Sequence, residues 1–362
     1  MIVINKAFSS ITDRDCMAES DDKHEVLSQY LISDDLASGS FGIVKYAIGK
    51  EDNTPYAMKI LSKSRLKRKG GLLRRPPGCN DSLRKTPLER VYQEIAILKK
   101  LSHPNIVRLH QVFDVETEDN LILVFEYLNG GPIITVPTTD VLSEETVRKY
   151  TRDVLLGLEY LHFQKIIHRD IKPDNLLLSS DHTVKIVDFG VSDKFEGDDA
   201  LIHNTVGTPS FLAPELLQEN STSSSGRAVD IWALGVTIYC MLFGEVPFTA
   251  KTKMLLYGKI CKDELELPEH IPITKELSDL LFKLMEKDVH KRIDLQGVMQ
   301  DKWTTQNGSK PLSQQLKSVE VSVEDIAKSV TKVNDLKTLA FIKMKLKRRK
   351  SPAHVEYITS QF

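Results

Sequence analysis

The residues best suited to chemistry lie in one stretch of the chain, between positions 168 and 190. His-Arg-Asp-Ile-Lys-Pro-Asp-Asn occupies 168–175, and Asp-Phe-Gly occupies 188–190. At this spacing the carboxylate of Asp170 would accept a proton from a substrate hydroxyl, and Lys172 would neutralise charge on a transferring phosphoryl group. Asn175 and Asp188 offer the oxygen ligands that Mg²⁺ prefers. The pattern therefore indicates magnesium-assisted phosphoryl transfer.

A glycine-containing turn and a strand lysine upstream are candidates for holding a nucleotide. The turn comprises Leu36, Ala37, Ser38, Gly39, Ser40, Phe41, Gly42, Ile43 and Val44. Glycines let backbone N–H groups approach phosphates closely, because no Cβ intervenes. Lys59 would hold the α- and β-phosphates if Glu94, on the next helix, paired with it. Alone, such a turn is more often a plain hairpin, and a strand lysine more often points to solvent. The assignment of both to nucleotide binding therefore depends on the motifs at 168–190.

The elements that must position these residues fall into two parts with different periodicity. Residues 30 to about 128 are mostly strand-like, apart from Leu88 to Leu101, where apolar residues recur at helical spacing. Residues from about 143 to 303 are mostly helical. Ser143 followed by two glutamates predicts a capped helix start. Residues 229–243 are apolar on nearly all sides, which predicts a helix buried in the larger part.

These motifs together resemble the eukaryotic protein kinase family over about residues 30 to 303. The resemblance implies an α+β, bilobal protein kinase fold. A small β-rich lobe with one main helix and a larger, mainly α-helical lobe would bind ATP and Mg²⁺ between them. The family's adenine pocket carries over onto Leu36, Val44, Ala57 and Leu177, with Phe125 as gatekeeper and Glu126 to Leu128 as hinge.

Other positions carry over with structural roles, and one departs from the family pattern. Glu215, which ends the Ala-Pro-Glu motif, would pair with Arg292, and Asp230 would brace the catalytic loop. Ala37 stands where the family has its first loop glycine, while Gly39 and Gly42 keep the other two. We expect Ala37 to stiffen the loop and alter nucleotide affinity without abolishing binding.

The kind of kinase is indicated by an insert and by the activation segment. Thr-Val-Gly-Thr-Pro at 205–209 resembles serine/threonine kinases. Residues 62–85 carry nine basic residues against one acid, with Gly-Gly and Pro-Pro-Gly, which predicts neither helix nor strand for most of the insert. This insert resembles the Arg-Pro-rich insert of calcium/calmodulin-dependent protein kinase kinases, which implies docking of downstream kinases whose activation-loop threonine is the target. A solvated charged loop is the alternative interpretation.

Two positions near the cleft bear on the substrate class. Pro132 stands where kinases that select arginine ahead of the target commonly have an acid. Asp174 departs from the small residue usual in animal kinase kinases, which leaves open the upstream kinases of the Snf1/AMP-activated type. A calmodulin-independent activator of such kinases is therefore a second hypothesis. A pseudokinase scaffold is a third, favoured by Ala37 alone.

The tail, residues 304–362, has the pattern of a regulatory segment. Ser322 and Asp325 form a capping-box-like start to a short helix. Farther on, Leu339, Phe341, Ile342, Met344 and Leu346 interleave with basic residues that include Lys347, Arg348 and Arg349. A basic amphipathic helix is typical of calmodulin targets or membrane surfaces, and its place behind a kinase domain favours calcium–calmodulin. We expect the segment from about 315 to 350 to obstruct substrate entry until calmodulin captures it.

Composition limits the remaining possibilities. The net charge of −1 gives no bias toward nucleic acid, and the four cysteines show no CxxC spacing, which argues against zinc and disulfides. Residues 1–29 look like a flexible lead-in without a signal peptide, and no window approaches eighteen apolar residues, so no transmembrane segment is expected. These features predict a cytoplasmic protein, with access to the nucleus possible.

Overall fold

The computed structural model describes residues 29–39, 42–69, 87–115, 118–189, 192–195, 201–202, 206–218 and 224–333. They form a small lobe dominated by strands and a large lobe dominated by helices. The small-lobe elements are β1 (Tyr30–Gly39), β2 (Gly42–Gly49), β3 (Pro55–Ser62), α1 (Lys63–Lys69), α2 (Pro87–Lys100), β4 (Leu109–Val115) and β5 (Asn120–Glu126). The predicted bilobal α+β fold is confirmed.

The large lobe and the tail supply the remaining elements. They are α3 (Glu144–Phe163), β6 (Ile166–Ile167), β7 (Leu176–Leu178), β8 (Val184–Ile186), β9 (Asp193–Lys194), β10 (Leu201–Ile202), β11 (Ser224–Ser225), α4 (Gly226–Phe243), α5 (Lys253–Lys262), α6 (Lys275–Leu284), α7 (Leu295–Gln300), α8 (Val323–Ala327) and β12 (Thr331–Val333). Short strand pairs, β6 with β9 and β7 with β8, lie at the base of the cleft.

The small lobe is built on a six-stranded sheet in the order β1-β2-β3-β5-β4-β12. The first five strands pair antiparallel with their neighbours, and β12 joins β4 in parallel. Helix α2 begins at a proline, a favoured first helical residue, and buries Val91, Ile95 and Leu98. The helix predicted from Leu88 to Leu101 is confirmed within one residue at each end.

The start of the basic insert is ordered as a short helix, whereas the expectation of neither helix nor strand concerned most of the insert, whose longer part is not described. Residues 63–69 form α1, and no glycine or proline interrupts the sequence before position 70. The carboxylate of Asp119 accepts a hydrogen bond from Ser64 N at 2.6 Å and so caps the first turn. Leu66 anchors the helix by burial. Residues 70–86 lie outside the described residues.

Helices α3 and α4 form the centre of the large lobe. Ser143 caps α3 by accepting from the backbone N–H of Thr146, as predicted. Helix α4 begins after a second serine cap, Ser225, and ends at Gly244 in the left-handed region. By length and composition it could cross a membrane, but 89% of it is buried inside the protein. It is therefore the core helix that its pattern predicted.

Residues 304–333 run from the large lobe up to the small lobe. Arg152 of α3 donates to the carbonyls of Thr304 and Lys310 at 2.7 and 2.8 Å. Helix α8, with the predicted capping box, then contacts α2, and β12 pairs with β4. Within the described part of the chain, these contacts are with α3, α2 and β4 rather than with the catalytic loop. They give the expected block of substrate entry no support as far as Val333.

Candidate active site

Asp170 lies at the centre of a closed hydrogen-bonded cluster. Its Oδ1 accepts from Thr208 Oγ1 at 2.7 Å and from Thr208 N at 3.0 Å, and its Oδ2 accepts from Asn175 Nδ2 at 2.9 Å. Lys172 Nζ lies 3.2 Å from Oδ2 and donates to Thr208 Oγ1 at 2.7 Å. The carboxylate is thus fixed in orientation and remains partly accessible, as a group that must meet a substrate hydroxyl requires.

Asp230 of α4 holds the catalytic loop from below. Its carboxylate accepts from the backbone N–H groups of His168 (3.0 Å) and Arg169 (2.7 Å) and lies 2.9 Å from His162 Nε2. Complete burial alone would raise the pKa of Asp230, but the bond from His162 and the nearby histidines hold that pKa below its ordinary value. This bracing lets Arg169 keep a positive φ of 68°. The structural role predicted for Asp230 is confirmed.

The β7–β8 hairpin brings the two predicted metal ligands to one end. Leu176 pairs with Ile186, and Val187 N donates to the carbonyl of Asn175 at 2.9 Å, so Asn175 lies beside the residue that precedes Asp188. The amide of Asn175 uses Nδ2 for its bonds to Asp170, which leaves Oδ1 as the atom for a cation. An amide oxygen and a carboxylate fit Mg²⁺, a hard cation that takes oxygen ligands.

Lys59 reaches across the cleft to Asp188. Its Nζ lies 2.6 Å from Asp188 Oδ1, which joins the small-lobe strand β3 to the carboxylate predicted to bind Mg²⁺. Glu94 lies on α2, the helix expected to carry it, and is 1% exposed. The acid predicted to pair with Lys59 is therefore buried. The lysine therefore lies beside the carboxylate that was predicted to bind Mg²⁺.

The glycine-containing turn is a tight hairpin between β1 and β2. Gly39 pairs with Gly42, and Gly42 has a φ of 153°; a Cβ added there would lie 2.0 Å from the carbonyl oxygen of Ile60. Glycine is thus required at 42. Ala37 pairs with Val44 just after an irregularity in the β1–β2 register between Asp35 and Ala37, and it is exposed, so a methyl group is accommodated at the position of the missing glycine. Ser40 and Phe41 lie outside the described residues, and Ser38 and Ile43 belong to the strands.

The residues predicted to form the adenine pocket come from both lobes. Leu36 on β1 is 44% exposed, and Val44 on β2 is half-buried. Ala57 on β3 pairs with Phe125 of β5, the predicted gatekeeper. Leu177 on β7 bridges to Pro132, after the predicted hinge.

The hinge would serve the nucleotide through its backbone rather than its side chains. Glu126 Oε1 accepts from Arg108 N and from Lys185 Nζ, both at 2.8 Å. Leu128 is 8% exposed and packs into the core. Both side chains are thus committed to the fold.

Glu215 and Arg292 form the predicted buried pair. The guanidinium nitrogens lie 2.7 and 2.8 Å from the two carboxylate oxygens, and Arg292 also donates to the carbonyls of Glu286 and Ala228. This bidentate pair anchors the end of the activation segment to the large lobe.

Thr208 was not among the predicted site residues, although its motif had been noted. The motif indicated substrate class, but it could not show that the hydroxyl would contact Asp170, 38 positions earlier. The eight residues assigned to calmodulin binding, from Leu339 to Arg349, lie outside the described residues.

Comparison with known proteins agrees with this geometry. Residues 30–304 match the protein kinase domain model. The chain is 43% identical over 88% of its length to a calcium/calmodulin-dependent protein kinase kinase of Caenorhabditis elegans, of which the match covers 60%. It is 41% identical over 86% to the serine/threonine-protein kinase ssp1 of Schizosaccharomyces pombe, of which 49% is covered.

A plant relative extends the comparison. The serine/threonine-protein kinase GRIK2 of Arabidopsis thaliana is 39% identical over 79% of this chain, and 67% of its length is covered. The chain spans only about half the length of several of the curated relatives it matches, between 40 and 60%. By the domain match and these relatives, the chain belongs to the protein kinase family, among its serine/threonine kinases.

Proposed function

We propose that the protein transfers the γ-phosphoryl group of ATP to serine or threonine hydroxyls in the activation loops of other protein kinases. The observation that carries the transfer step is the fixed carboxylate of Asp170, held by Thr208, Asn175 and Lys172. Phosphoryl transfer has a loose transition state, so positioning and charge neutralisation supply most of the catalysis.

Each residue of the cluster has a part in that step. Asp170 would orient the substrate hydroxyl and accept its proton, and Lys172 would offset charge on the moving phosphoryl group. Asn175 and Asp188 would hold Mg²⁺, which neutralises charge on the phosphate oxygens when bound. Lys59, at 2.6 Å from Asp188, would hold the nucleotide phosphates next to that carboxylate.

Other kinases are the proposed substrates for two reasons. Pro132 is exposed after the hinge and offers no carboxylate to a basic target sequence. A relative named a protein kinase kinase also shares 43% identity with most of the chain. The basic insert, whose first turns form α1, would supply the docking surface for an acidic partner.

Control by calcium–calmodulin is the regulatory part of the proposal. It is supported by the basic amphipathic pattern at 336–350 and by the name of the C. elegans relative. A calmodulin-independent activator of Snf1/AMP-activated-type kinases is the second candidate, favoured by Asp174, which is exposed beside the catalytic loop. A cytoplasmic location fits both.

One assay tests these proposals. Purified full-length protein is incubated with ATP, Mg²⁺ and a catalytically dead downstream kinase, with and without calcium–calmodulin, and phosphate on the activation-loop threonine is mapped by mass spectrometry. We expect transfer that calmodulin stimulates. Transfer without stimulation would favour the second candidate, and no transfer to any kinase would contradict the proposed substrate class. Asp188→Asn is the inactive control, and unchanged signalling by it would favour a scaffold.

Loss of apolar residues from the tail tests the calmodulin site separately. The double substitution Leu339→Glu and Ile342→Glu in the full-length protein should abolish binding to immobilised calcium–calmodulin at micromolar calcium. A matched double substitution at Lys337 and Lys343, to Gln, should only weaken it, because apolar burial supplies most of the affinity in such grooves. Equal binding by wild type and the Glu variant would overturn the assignment.

A further inference from the structure

A buried hydrogen-bond network joins the insert, α2 and β4. Asp114 on β4 is 2% exposed and accepts from Lys63 Nζ at 2.7 Å and from the hydroxyl of Tyr92. Lys63 also donates to the carbonyl of Val115 at 2.8 Å. Lys63 begins α1, the first part of the insert, whereas Tyr92 lies on α2 two residues before Glu94. The network therefore fixes both segments to one strand.

The tail reaches the same place from the large lobe. Ser329 is 2% exposed, its hydroxyl lies 3.2 Å from the carbonyl oxygen of Tyr92, and its own carbonyl accepts from Lys99 Nζ at 3.3 Å. Strand β12 then pairs with β4 so that Lys332 stands opposite Asp114. Val333 is 5% exposed and packs into the apolar cluster of the small-lobe sheet.

Residues 312–333, here called the strap, are anchored to the large lobe as well. Gln314 donates to Leu156 O at 2.8 Å, and Gln164 holds the backbone of Lys317 and Val319 at 2.6 and 2.9 Å. At the upper end, Lys100 at the end of α2 donates to Asp325 at 2.5 Å and to the carbonyl of Glu320 at 2.7 Å. The strap thus ties α3 to α2 and β4.

We propose that the strap positions α2 for phosphoryl transfer, at the side of the small lobe where Asp114 also joins α2 to β4. Asp188 belongs to the large lobe and Lys59 to the small lobe, and they meet at 2.6 Å. A strap that spans both lobes sets the separation at which this contact forms, and it holds the helix that carries Glu94. The strap is therefore activating, whereas the tail had been expected to inhibit. This inference rests on the proposed kinase activity.

The test compares Val333→Asp with Thr331→Asp in the full chain. Both place a carboxylate on β12, but Val333 is buried and Thr331 is exposed. Burial of an unpaired carboxylate should detach β12. For Val333→Asp we expect kcat to fall about tenfold with KM for the protein substrate unchanged, because misplaced reacting groups slow the chemical step. Amide hydrogen exchange should rise in residues 87–100 and stay unchanged in α6.

A second pair keeps the test decisive if the Val333 variant fails to fold. Lys100→Met removes the contacts with Asp325 and Glu320, whereas Lys328→Met removes only a local pair with Glu324 inside α8. Only the first should raise exchange in α2 and lower kcat. A chain that ends at 333 should keep its activity, and one that ends at 311 should lose it.

Two results would overturn the inference. One is that Val333→Asp and Thr331→Asp have equal kcat and equal amide exchange in α2. If Val333→Asp does not fold, equal kcat and equal α2 exchange in Lys100→Met and Lys328→Met would overturn the inference instead. The other is a chain ending at 311 with wild-type kcat. Amide exchange does not depend on catalysis. If the wild-type protein transferred no phosphate but α2 exchange still rose in the strap variants, the proposed function would fail while the strap's hold on α2 would stand.

Discussion

Thr208 Oγ1 donates a 2.7 Å hydrogen bond to Asp170 Oδ1, and the backbone N–H of the same threonine donates a second bond to that oxygen. One residue of the activation segment thus orients the carboxylate that must meet the substrate hydroxyl. It also accepts from Lys172, so it links the two residues assigned to catalysis.

Removal of the Thr208 hydroxyl should therefore slow catalysis while leaving the fold intact. A hydrogen bond to a charged group contributes about 1.5 to 3 kcal/mol, so Thr208→Val should lower kcat roughly 10- to 100-fold. Thr208→Ser keeps the hydroxyl and should retain most of the activity. Steady-state kinetics at saturating ATP measures both. A serine variant as slow as the valine variant would contradict this role, because serine keeps the hydroxyl.

Asp230→Asn should destabilise the protein and change its response to acid. The buried carboxylate accepts from two backbone N–H groups, and an amide cannot replace it without turning a donor toward one of them. We expect a loss of about 3 kcal/mol in the free energy of unfolding at pH 7, measured by urea denaturation.

The acid response follows from the lowered pKa of Asp230. A carboxyl group with a depressed folded-state pKa stabilises the protein above its unfolded-state pKa, about 3.9, and loses that contribution as pH falls toward the folded-state value. Wild type should therefore lose stability more steeply than Asp230→Asn below about pH 4. Parallel curves would contradict this assignment.

Arg292→Met should be severely destabilising because it leaves the carboxylate of Glu215 buried without its bidentate partner. Loss of one partner of a buried pair costs about 3 to 5 kcal/mol. Lys291→Met is the neighbouring control, since Lys291 and Asp288 form an exposed pair. Thermal unfolding should show a large drop in Tm for the first variant and none for the second. Equal Tm values would mean that the buried pair is energetically neutral.

Gly42→Ala should weaken nucleotide binding much more than Ala37→Gly. A Cβ at 42 would clash with the carbonyl of Ile60, so the hairpin must shift and KM for ATP should rise about tenfold. Ala37 already pairs with Val44 and has an exposed methyl group, so Ala37→Gly should change KM for ATP far less. Fluorescence titration with a nucleotide analogue checks both. A larger effect at 37 than at 42 would contradict the hairpin geometry.

Most of the catalytic site could be predicted from sequence because it lies on short, contiguous motifs. The roles of Asp170 and Asn175 follow from fixed spacing, and Glu215, Arg292 and Asp230 follow from the family resemblance that those motifs carry. What could not be predicted depends on tertiary contacts between distant segments that lack periodicity. Thr208 reaches Asp170 only through the folded activation segment. Helix α1 depends on a cap from Asp119, 55 positions from Ser64.

The path of the strap also could not be predicted from the sequence. Residues 312–321 have no helical or strand period, and their backbone is held by the side chains of Gln164 and Lys100, which carry no recognisable signal. The capping box at Ser322 predicted α8, but nothing in a three-residue strand indicated that β12 would pair with β4.

Because β12 pairs with β4, the folded structure continues beyond the residue at which the family match ends. The family match stops at residue 304, but contacts with the small-lobe sheet continue at least to residue 333. A fragment cut at the family boundary would leave β4 as a bare sheet edge, next to an apolar cluster that has lost Val333. Exposed edges of this kind recruit other strands. Recombinant fragments that end near 304 should therefore be prone to self-association, whereas fragments that end at 333 should remain monodisperse.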